Sequence, residues 1–311
     1  MPGDEGYLSA FLTSEEIEEF EAARASQRPF LATGREDRFS EFFRFEDLEH
    51  LVNQTNIWAP NRLDVLMDTK KVPPNTFFDQ LQLVNGVRYR LNTHALQKLL
   101  SGGASLVLID IDGMTKGLKK LKEILAGYSG AKVEANLYYS QPRHQAFEIH
   151  FDVHEVCAFQ VAGAKRWRVY QQAHKFPINH LAFLSGDVAK HERAKGPVSM
   201  DLVMSEGDFL YLPSGYYHQA ICTNSTSIHL SYSIVEMIGL DVVSELFDTG
   251  VLDEFFRTPV SRCKQNGSSE GYLKLLAENL TRLATDDQFA ERIEEKLRSF
   301  PYSTSEVTIR K

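Results

Sequence analysis

A run of short, strand-like segments between residues 132 and 235 limits the folds open to this protein. The segments cover residues 133–139, 146–153, 158–161, 166–170, 199–204, 208–212 and 227–235. Glycine or proline separates several of them. Many short strands with turn residues between them predict an all-β sandwich or barrel, and a jelly roll is the natural arrangement.

Helical patterns lie on both sides of this β region. Thr13 and Glu16 fit a capping box at the start of the first helix. The other segments with helical spacing are 45–51, 92–100, 117–128, 240–247, 251–256, 272–283 and 287–300. Two further short strands are predicted at 29–32 and 105–110. The sequence therefore predicts a helical N-terminal region with the first strands, a β core and a helical C-terminal region, over 1–104, 105–239 and 240–311.

Charge and cysteine usage exclude several classes of protein. The net charge is -8, whereas a general nucleic-acid binder usually carries a basic excess. The three cysteines form no CxxC pair, which predicts a reducing, cytoplasmic setting. The N-terminal segment is acidic and does not read as a secretory signal, and no apolar run is long enough to span a membrane. We therefore expect neither a nucleic-acid partner nor a membrane.

The triplet His150-Phe151-Asp152 and the later His218 form a candidate metal site. Side chains alternate along a strand, so His150 and Asp152 point to the same face and Phe151 to the other. His218 ends the segment 207–218, which reads as a turn, a strand and a second turn with proline and glycine. Two histidines and one carboxylate are the ligands of the facial triad that holds Fe(II).

The H-x-D triplet alone is a weak signal, because so short a match often arises by chance. The segment 207–218, in a strand-rich region, strengthens it. We expect the remaining histidines to lie on the surface or to be satisfied in the core, or to have no evident role: His50, His94, His144, His154, His174, His180, His191 and His229.

Residues 150–170 and 207–218 together resemble the JmjC-type cupin oxygenases, and among them the ribosomal oxygenases of the cupin-4 group. In that family an H-x-D strand precedes a G-x-K/R-x-W-R-x-Y turn and strand. A later segment reads G-D-x-L-Y-x-P-x-G-x-x-H-x-A. All of these elements occur here in the same order. The resemblance extends over residues 29–233 and implies a mainly β fold, with a double-stranded β-helix core, a helical N-terminal part and a helical dimerisation region.

The resemblance also implies a cofactor and a co-substrate. Fe(II) would be held by His150, Asp152 and His218, and 2-oxoglutarate would chelate it. By strand alternation Lys165 shares a face with Trp167, away from Arg166, and the family keeps a lysine or arginine there for the distal carboxylate of 2-oxoglutarate. The other residues that the resemblance places around 2-oxoglutarate are Asn136, Tyr138, Ser231 and Phe147.

The implied activity is hydroxylation of a C–H bond in an amino-acid side group of a protein or peptide, with release of succinate and CO2, by a homodimer. Family members carry a dimerisation region and a winged helix after the cupin core, and residues 240–311 are too few for both. A small molecule or a natural-product peptide precursor therefore stays open as the substrate. So does a non-catalytic cupin that only binds. Glu155, Tyr216 and Tyr217 are candidate substrate-groove residues, although a structural role is favoured for each.

Overall fold

The computed structural model describes residues 5–142, 148–172, 174–184, 188–263 and 269–301. The protein divides into two compact units. The larger comprises 1–129 and 133–235, and the smaller comprises 130–132 and 236–311. None of the helices formed by the described residues combines the length and the apolar character needed to cross a membrane.

The larger unit combines strands with helices that precede or interrupt them. Its strands are β1 (Phe30–Ala32), β2 (Leu63–Met67), β3 (Lys70–Lys71), β4 (Phe78–Leu83), β5 (Gly86–Leu91), β6 (Ser105–Leu108), β7 (Lys132–Ser140), β8 (Glu155–Gln172), β9 (Val198–Ser205), β10 (Phe209–Leu212) and β11 (Tyr216–Val235). Its helices are α1 (Glu5–Leu8), α2 (Ser14–Ala25), α3 (Phe45–Asn53), a 3-10 turn (Pro74–Thr76), α4 (Thr93–Ser101), α5 (Lys116–Ser129), α6 (Leu181–Leu184) and α7 (Val188–Ala194).

The smaller unit is helical in its described part. It contains α8 (Gly239–Gly250), α9 (Glu254–Arg257), α10 (Val260–Cys263), α11 (Ser269–Ala284) and α12 (Asp287–Ser299). Asp286 caps α12 by accepting a hydrogen bond from the Gln288 N–H, as an N-cap carboxylate should.

Nine strands form one sheet in the order β1-β10-β8-β11-β7-β6-β2-β3, with β9 also paired to β8. Strands β4 and β5 form a separate hairpin. The long strands β8 and β11 pair in antiparallel fashion along most of their length: His218 lies opposite Val169, and Cys222 opposite Lys165. The mainly antiparallel sheet with flanking helices confirms the predicted fold class.

The N-terminal helices cover this sheet through an aromatic cluster. The Phe159 and Phe209 rings, on β8 and β10, lie 4.9 Å apart. Phe11 approaches Phe159 to 5.2 Å, and Phe20 on α2 approaches Phe209 to 5.8 Å. These rings are buried, and such contacts contribute beyond the apolar area that they remove from water. The predicted helical N-terminal region therefore forms part of the core.

The local predictions are mostly confirmed. The capping box at Thr13 and Glu16 is present at the start of α2, and the short strand at residues 30–32 forms β1. The predicted strands 158–161 and 166–170 are one strand, β8, because Gly163 bends the backbone at φ 63° without ending the pairing. A Cβ at Gly163 would lie 1.8 Å from the Thr226 carbonyl oxygen, so only glycine fits there.

Other local predictions are wrong or untested. The described part of the predicted strand 146–153 contains a single bridge, between His150 and His218, and no strand. The hairpin of β4 and β5 was not predicted, because exposed residues fill it and no alternating apolar pattern marks it. The expected linker at 264–269 and the terminal strand at 306–310 lie wholly or largely outside the described residues.

Candidate active site

The side chains of His150, Asp152 and His218 meet at one point, with their ligating atoms all within 4.8 Å of one another. Backbone hydrogen bonds hold this arrangement. The His218 N–H donates to the His150 carbonyl at 2.8 Å, and the His150 N–H donates to the His218 carbonyl at 3.2 Å. The Gly215 N–H donates to the Asp152 carbonyl at 2.9 Å. The two segments that carry the triad are therefore tied to each other by backbone atoms.

The outer nitrogens of both imidazoles are already engaged. The Nδ1 atom of His150 lies 2.9 Å from the Glu148 carbonyl oxygen, and that of His218 lies 3.0 Å from the Tyr216 carbonyl oxygen. A carbonyl only accepts hydrogen bonds, so each Nδ1 carries the proton and each Nε2 keeps its lone pair. Such second contacts orient metal-bound histidines in proteins. This donor set fits a metal ion.

The protonation states are also those that a metal requires. Burial, followed by the neighbouring His150, lowers the pKa of His218 to about 4, so this ring is neutral at pH 7. Burial by itself would raise the pKa of Asp152, but the positive ends of His150 and His218 outweigh it and hold that pKa below its ordinary value. A neutral imidazole and an ionised carboxylate need release no proton when a cation binds.

The pKa of His218 predicts how stability depends on pH without metal. The imidazole has a pKa of about 4 in the folded protein and 6.5 as the ordinary value, so only the unfolded protein takes up this proton between those limits. We expect the free energy of unfolding to fall by up to about 3 kcal/mol as the pH decreases across this window. Chemical denaturation at several pH values measures it. The fall should be smaller in His218→Gln, and an equal fall in both would contradict the assignment.

A cavity of about 140 Å³ opens from the triad into the sheet. Its walls come from β7, β8 and β11 and from the segment that carries His150. The residues that line it beside the triad are Asn136, Tyr138, His154, Val156, Lys165, Trp167, Ala220, His229, Ser231 and Ser233. The structure therefore brings together the predicted residues Asn136, Tyr138, Lys165 and Ser231. Phe147 lies outside the described residues.

Lys165 is a buried cation in the wall of this cavity. The residue is 2% exposed, and its Nζ donates to the Ser140 hydroxyl at 3.1 Å. Burial lowers its pKa to about 8. No described carboxylate forms an ion pair with it, whereas its neighbour Arg166 binds Asp201 at the surface. A buried ammonium that has only a hydroxyl partner leaves hydrogen-bonding capacity for an anion.

Asn136 and Tyr138 occupy alternate positions of β7 on the same wall. The Asn136 amide oxygen accepts a hydrogen bond from the Asp110 N–H at 3.2 Å. Burial, followed by the charge of Asp152, raises the pKa of Tyr138 to about 12. The phenol therefore stays protonated and can donate a hydrogen bond to a bound anion.

Sequence reasoning missed His229, which lies on β11 two positions before Ser231. It was expected to lie at the surface or to be satisfied in the core. This expectation is wrong, because the ring is buried in the cavity wall and its Nδ1 has no hydrogen-bond partner. The alternation that places Ser231 on the wall places His229 there too, and this was the available signal.

The three candidate substrate-groove residues make contacts within the fold. Glu155 accepts hydrogen bonds from the Arg24 guanidinium and the Tyr211 hydroxyl, both at 2.9 Å. The Tyr216 hydroxyl donates to a backbone carbonyl, and the Tyr217 hydroxyl lies 2.7 Å from the His191 ring. These contacts favour the structural role for all three.

Comparisons with known proteins agree with this geometry. The family model described as "JmjC domain" matches residues 113–239. A bifunctional lysine-specific demethylase and histidyl-hydroxylase, NO66, of Drosophila simulans is 30% identical over 210 residues, covering 63% of this chain and 24% of that protein. Human ribosomal oxygenase 1 is 30% identical over 178 residues, covering 55% of this chain and 26% of that protein. The chain thus spans about a quarter of the length of these relatives.

Solved structures show the same fold. A structure of YcfD, a ribosomal oxygenase from Escherichia coli, superposes with a TM-score of 0.60 and 15% identity, covering 91% of this chain and 70% of that one. Another, in complex with cobalt and 2-oxoglutarate, superposes with a TM-score of 0.57 and 14% identity, covering 91% and 70%. With the family match and the clustered triad, these likenesses identify the protein as a ribosomal-oxygenase-like JmjC cupin protein, with its JmjC domain over residues 113–239.

Proposed function

We propose that this protein is an Fe(II)- and 2-oxoglutarate-dependent oxygenase that hydroxylates a C–H bond in an amino-acid side group of a protein or peptide. The observation that carries the proposal is one cavity that joins a metal-competent triad to a buried lysine without a carboxylate partner. The cobalt and 2-oxoglutarate complex of YcfD supports the same pair of ligands. Residues Asn136, Tyr138, Lys165 and Ser231 would bind the co-substrate, and Phe147 is proposed as an apolar wall.

Each group of residues has a distinct role in this proposal. His150, Asp152 and His218 hold the metal on one face and leave the other coordination positions open. Lys165 binds the distal carboxylate of 2-oxoglutarate. When bound, iron and 2-oxoglutarate supply the oxidising chemistry that converts C–H to C–OH, with succinate and CO2 as the other products. The apolar residues Val156, Trp167 and Ala220 limit water in the cavity.

The names of the relatives favour a protein substrate. NO66 is named as a histidyl-hydroxylase and demethylase, and human ribosomal oxygenase 1 is named for the ribosome. We extend only the substrate class, an amino-acid residue of a protein or peptide, to this protein. A small molecule or natural-product peptide precursor is the second candidate. The buried triad and Lys165 argue against a cupin that has kept only a binding role, because a site without function would not retain a costly buried charge.

The proposal includes a homodimer in the cytoplasm. The helices of the smaller unit expose large apolar side chains, among them Phe247 at 72% and Leu252 at 80%, which favours a covered surface. The free, buried thiols of Cys157 and Cys222 suit a reducing compartment.

The test measures succinate formed from 2-oxoglutarate by the iron-loaded protein, together with mass spectrometry of candidate peptides and lysate proteins. We expect iron- and oxygen-dependent succinate and a product that is heavier by one oxygen atom. The matched control is Arg166→Ala, which removes a surface charge next to Lys165 and should retain the rate. No succinate above the rate without iron, with any candidate substrate, would contradict the proposal.

A further inference from the structure

The ring of His229 is clamped in the cavity wall between two aromatic side chains. It stacks on Tyr138, with ring centroids 4.8 Å apart and planes within 6°, and meets Trp167 at 5.5 Å with planes at 78°. Only 4% of the residue is exposed. Both neighbours line the same cavity. The ring is therefore held in one orientation before any ligand binds.

This ring has hydrogen-bonding capacity that the described residues leave unused. Its Nδ1 is buried and has no partner, and neither does the buried Nε1 of Trp167. A buried polar atom without a partner costs about 1–3 kcal/mol, so a native fold rarely keeps one without a reason. Two such nitrogens on the wall that also holds Lys165 indicate a place for an acceptor group.

The charge balance of this wall suits an anion with two oxygens. Burial, followed by the charge of Lys165, lowers the pKa of His229 well below its ordinary value, so the ring is neutral at pH 7. A neutral imidazole donates one hydrogen bond without adding a second positive charge beside the ammonium. The ammonium and the imidazole N–H can then each bind one oxygen of a single carboxylate.

We propose that His229 is a second binding residue for the distal carboxylate of 2-oxoglutarate, with its ring N–H donating to one oxygen while Lys165 binds the other. This inference rests on the proposed function. It assigns recognition of the dicarboxylate to two strands, β8 through Lys165 and β11 through His229. The Tyr138 and Trp167 rings act as positioning residues that hold the imidazole in place.

Two substitutions of similar shape separate hydrogen bonding from packing. His229→Asn places an amide N–H near the position of Nδ1, and His229→Leu fills the same space without a polar atom. Calorimetry with manganese-loaded protein measures 2-oxoglutarate binding without turnover. We expect the Leu variant to bind about tenfold more weakly or worse, since a hydrogen bond to a charged group is lost, and the Asn variant to stay within about threefold of wild type.

A second ligand locates the contact. 2-Oxopentanoate has the same keto acid end but lacks the distal carboxylate, so the Asn and Leu variants should bind it equally. Thermal unfolding checks that both variants fold. In histidine-labelled wild-type protein, 2-oxoglutarate but not 2-oxopentanoate should shift the ring nitrogen signals of His229, which tests the contact without any substitution.

The outcomes are distinguishable. Equal weakening of 2-oxoglutarate binding in the Asn and Leu variants would mean that only ring packing matters, and would overturn the inference. A difference between them that persists with 2-oxopentanoate would overturn it as well. Both results leave the proposed function intact. If wild-type protein binds no 2-oxoglutarate at all, the proposed function fails and this inference fails with it.

Discussion

Asp152→Ala is expected to abolish metal-dependent succinate formation, with a loss greater than about 100-fold. Substitutions that only disturb the partners of metal ligands already cost about 10–100-fold in affinity or activity. Asp152 is the single carboxylate of the triad, and its Oδ2 lies 3.5 Å from the His218 Nε2. Its removal leaves two neutral imidazoles, which hold a divalent cation weakly without an anionic partner.

Metal affinity is the second measurement for this variant. Titration with cobalt, followed by its visible absorption, should show binding in wild type and a large loss in Asp152→Ala. Asp201→Ala is the matched control, because Asp201 is a surface partner of Arg166 and Arg168. Its cobalt affinity and turnover should match wild type. Retention of both in Asp152→Ala would refute the assignment of the triad.

Lys165→Met is expected to weaken 2-oxoglutarate binding by about 100-fold or more and, at the same time, to stabilise the protein. The loss follows because the distal carboxylate would be buried without its cation. The gain follows because the pKa of Lys165 falls from 10.5 to about 8 on folding, which corresponds to a cost of up to about 3 kcal/mol for the buried charge at pH 7. Methionine keeps the apolar stem and removes that cost.

The gain in stability should depend on pH in a defined direction. Below about pH 8 the lysine is charged in both states, so the cost of burying the charge is fully present. Above this pH the folded protein loses the proton first, and the advantage of the Met variant should shrink toward pH 10.5. Lys165→Arg, which keeps a cation, should show no such advantage. Unfolding free energies equal to wild type for Lys165→Met at pH 7 would contradict the buried-charge interpretation.

The sequence was sufficient for the strand-rich core and for the residues of the triad, because an H-x-D triplet and a turn-framed histidine are local patterns. The reason given for the first two ligands was less accurate. Strand alternation was invoked for His150 and Asp152, yet the described residues around them form one bridge instead of a strand. Reciprocal backbone hydrogen bonds with His218 set their position, and such tertiary contacts have no local signature.

Lys165 and His229 show where pattern reasoning ends. Alternation along β8 separates Lys165 from the surface residue Arg166, so the sequence alone could place the lysine. His229 needed knowledge of what lies across the sheet. Only the pairing of β11 with its neighbours brings its ring between Tyr138 and Trp167, and an unpartnered nitrogen can be recognised only when its surroundings are known.

The antiparallel pairing of β8 and β11 also imposes a length scale on whatever binds in the cavity. Four residues on each strand separate the pair His218 and Val169 from the pair Cys222 and Lys165. At about 3.3 Å per residue this is about 13 Å of hydrogen-bonded backbone, which substitutions of single residues cannot shorten. The metal end and the lysine end therefore stand at a fixed separation. The ladder acts as a ruler, and a dicarboxylate of the wrong length would reach one end or the other but not both.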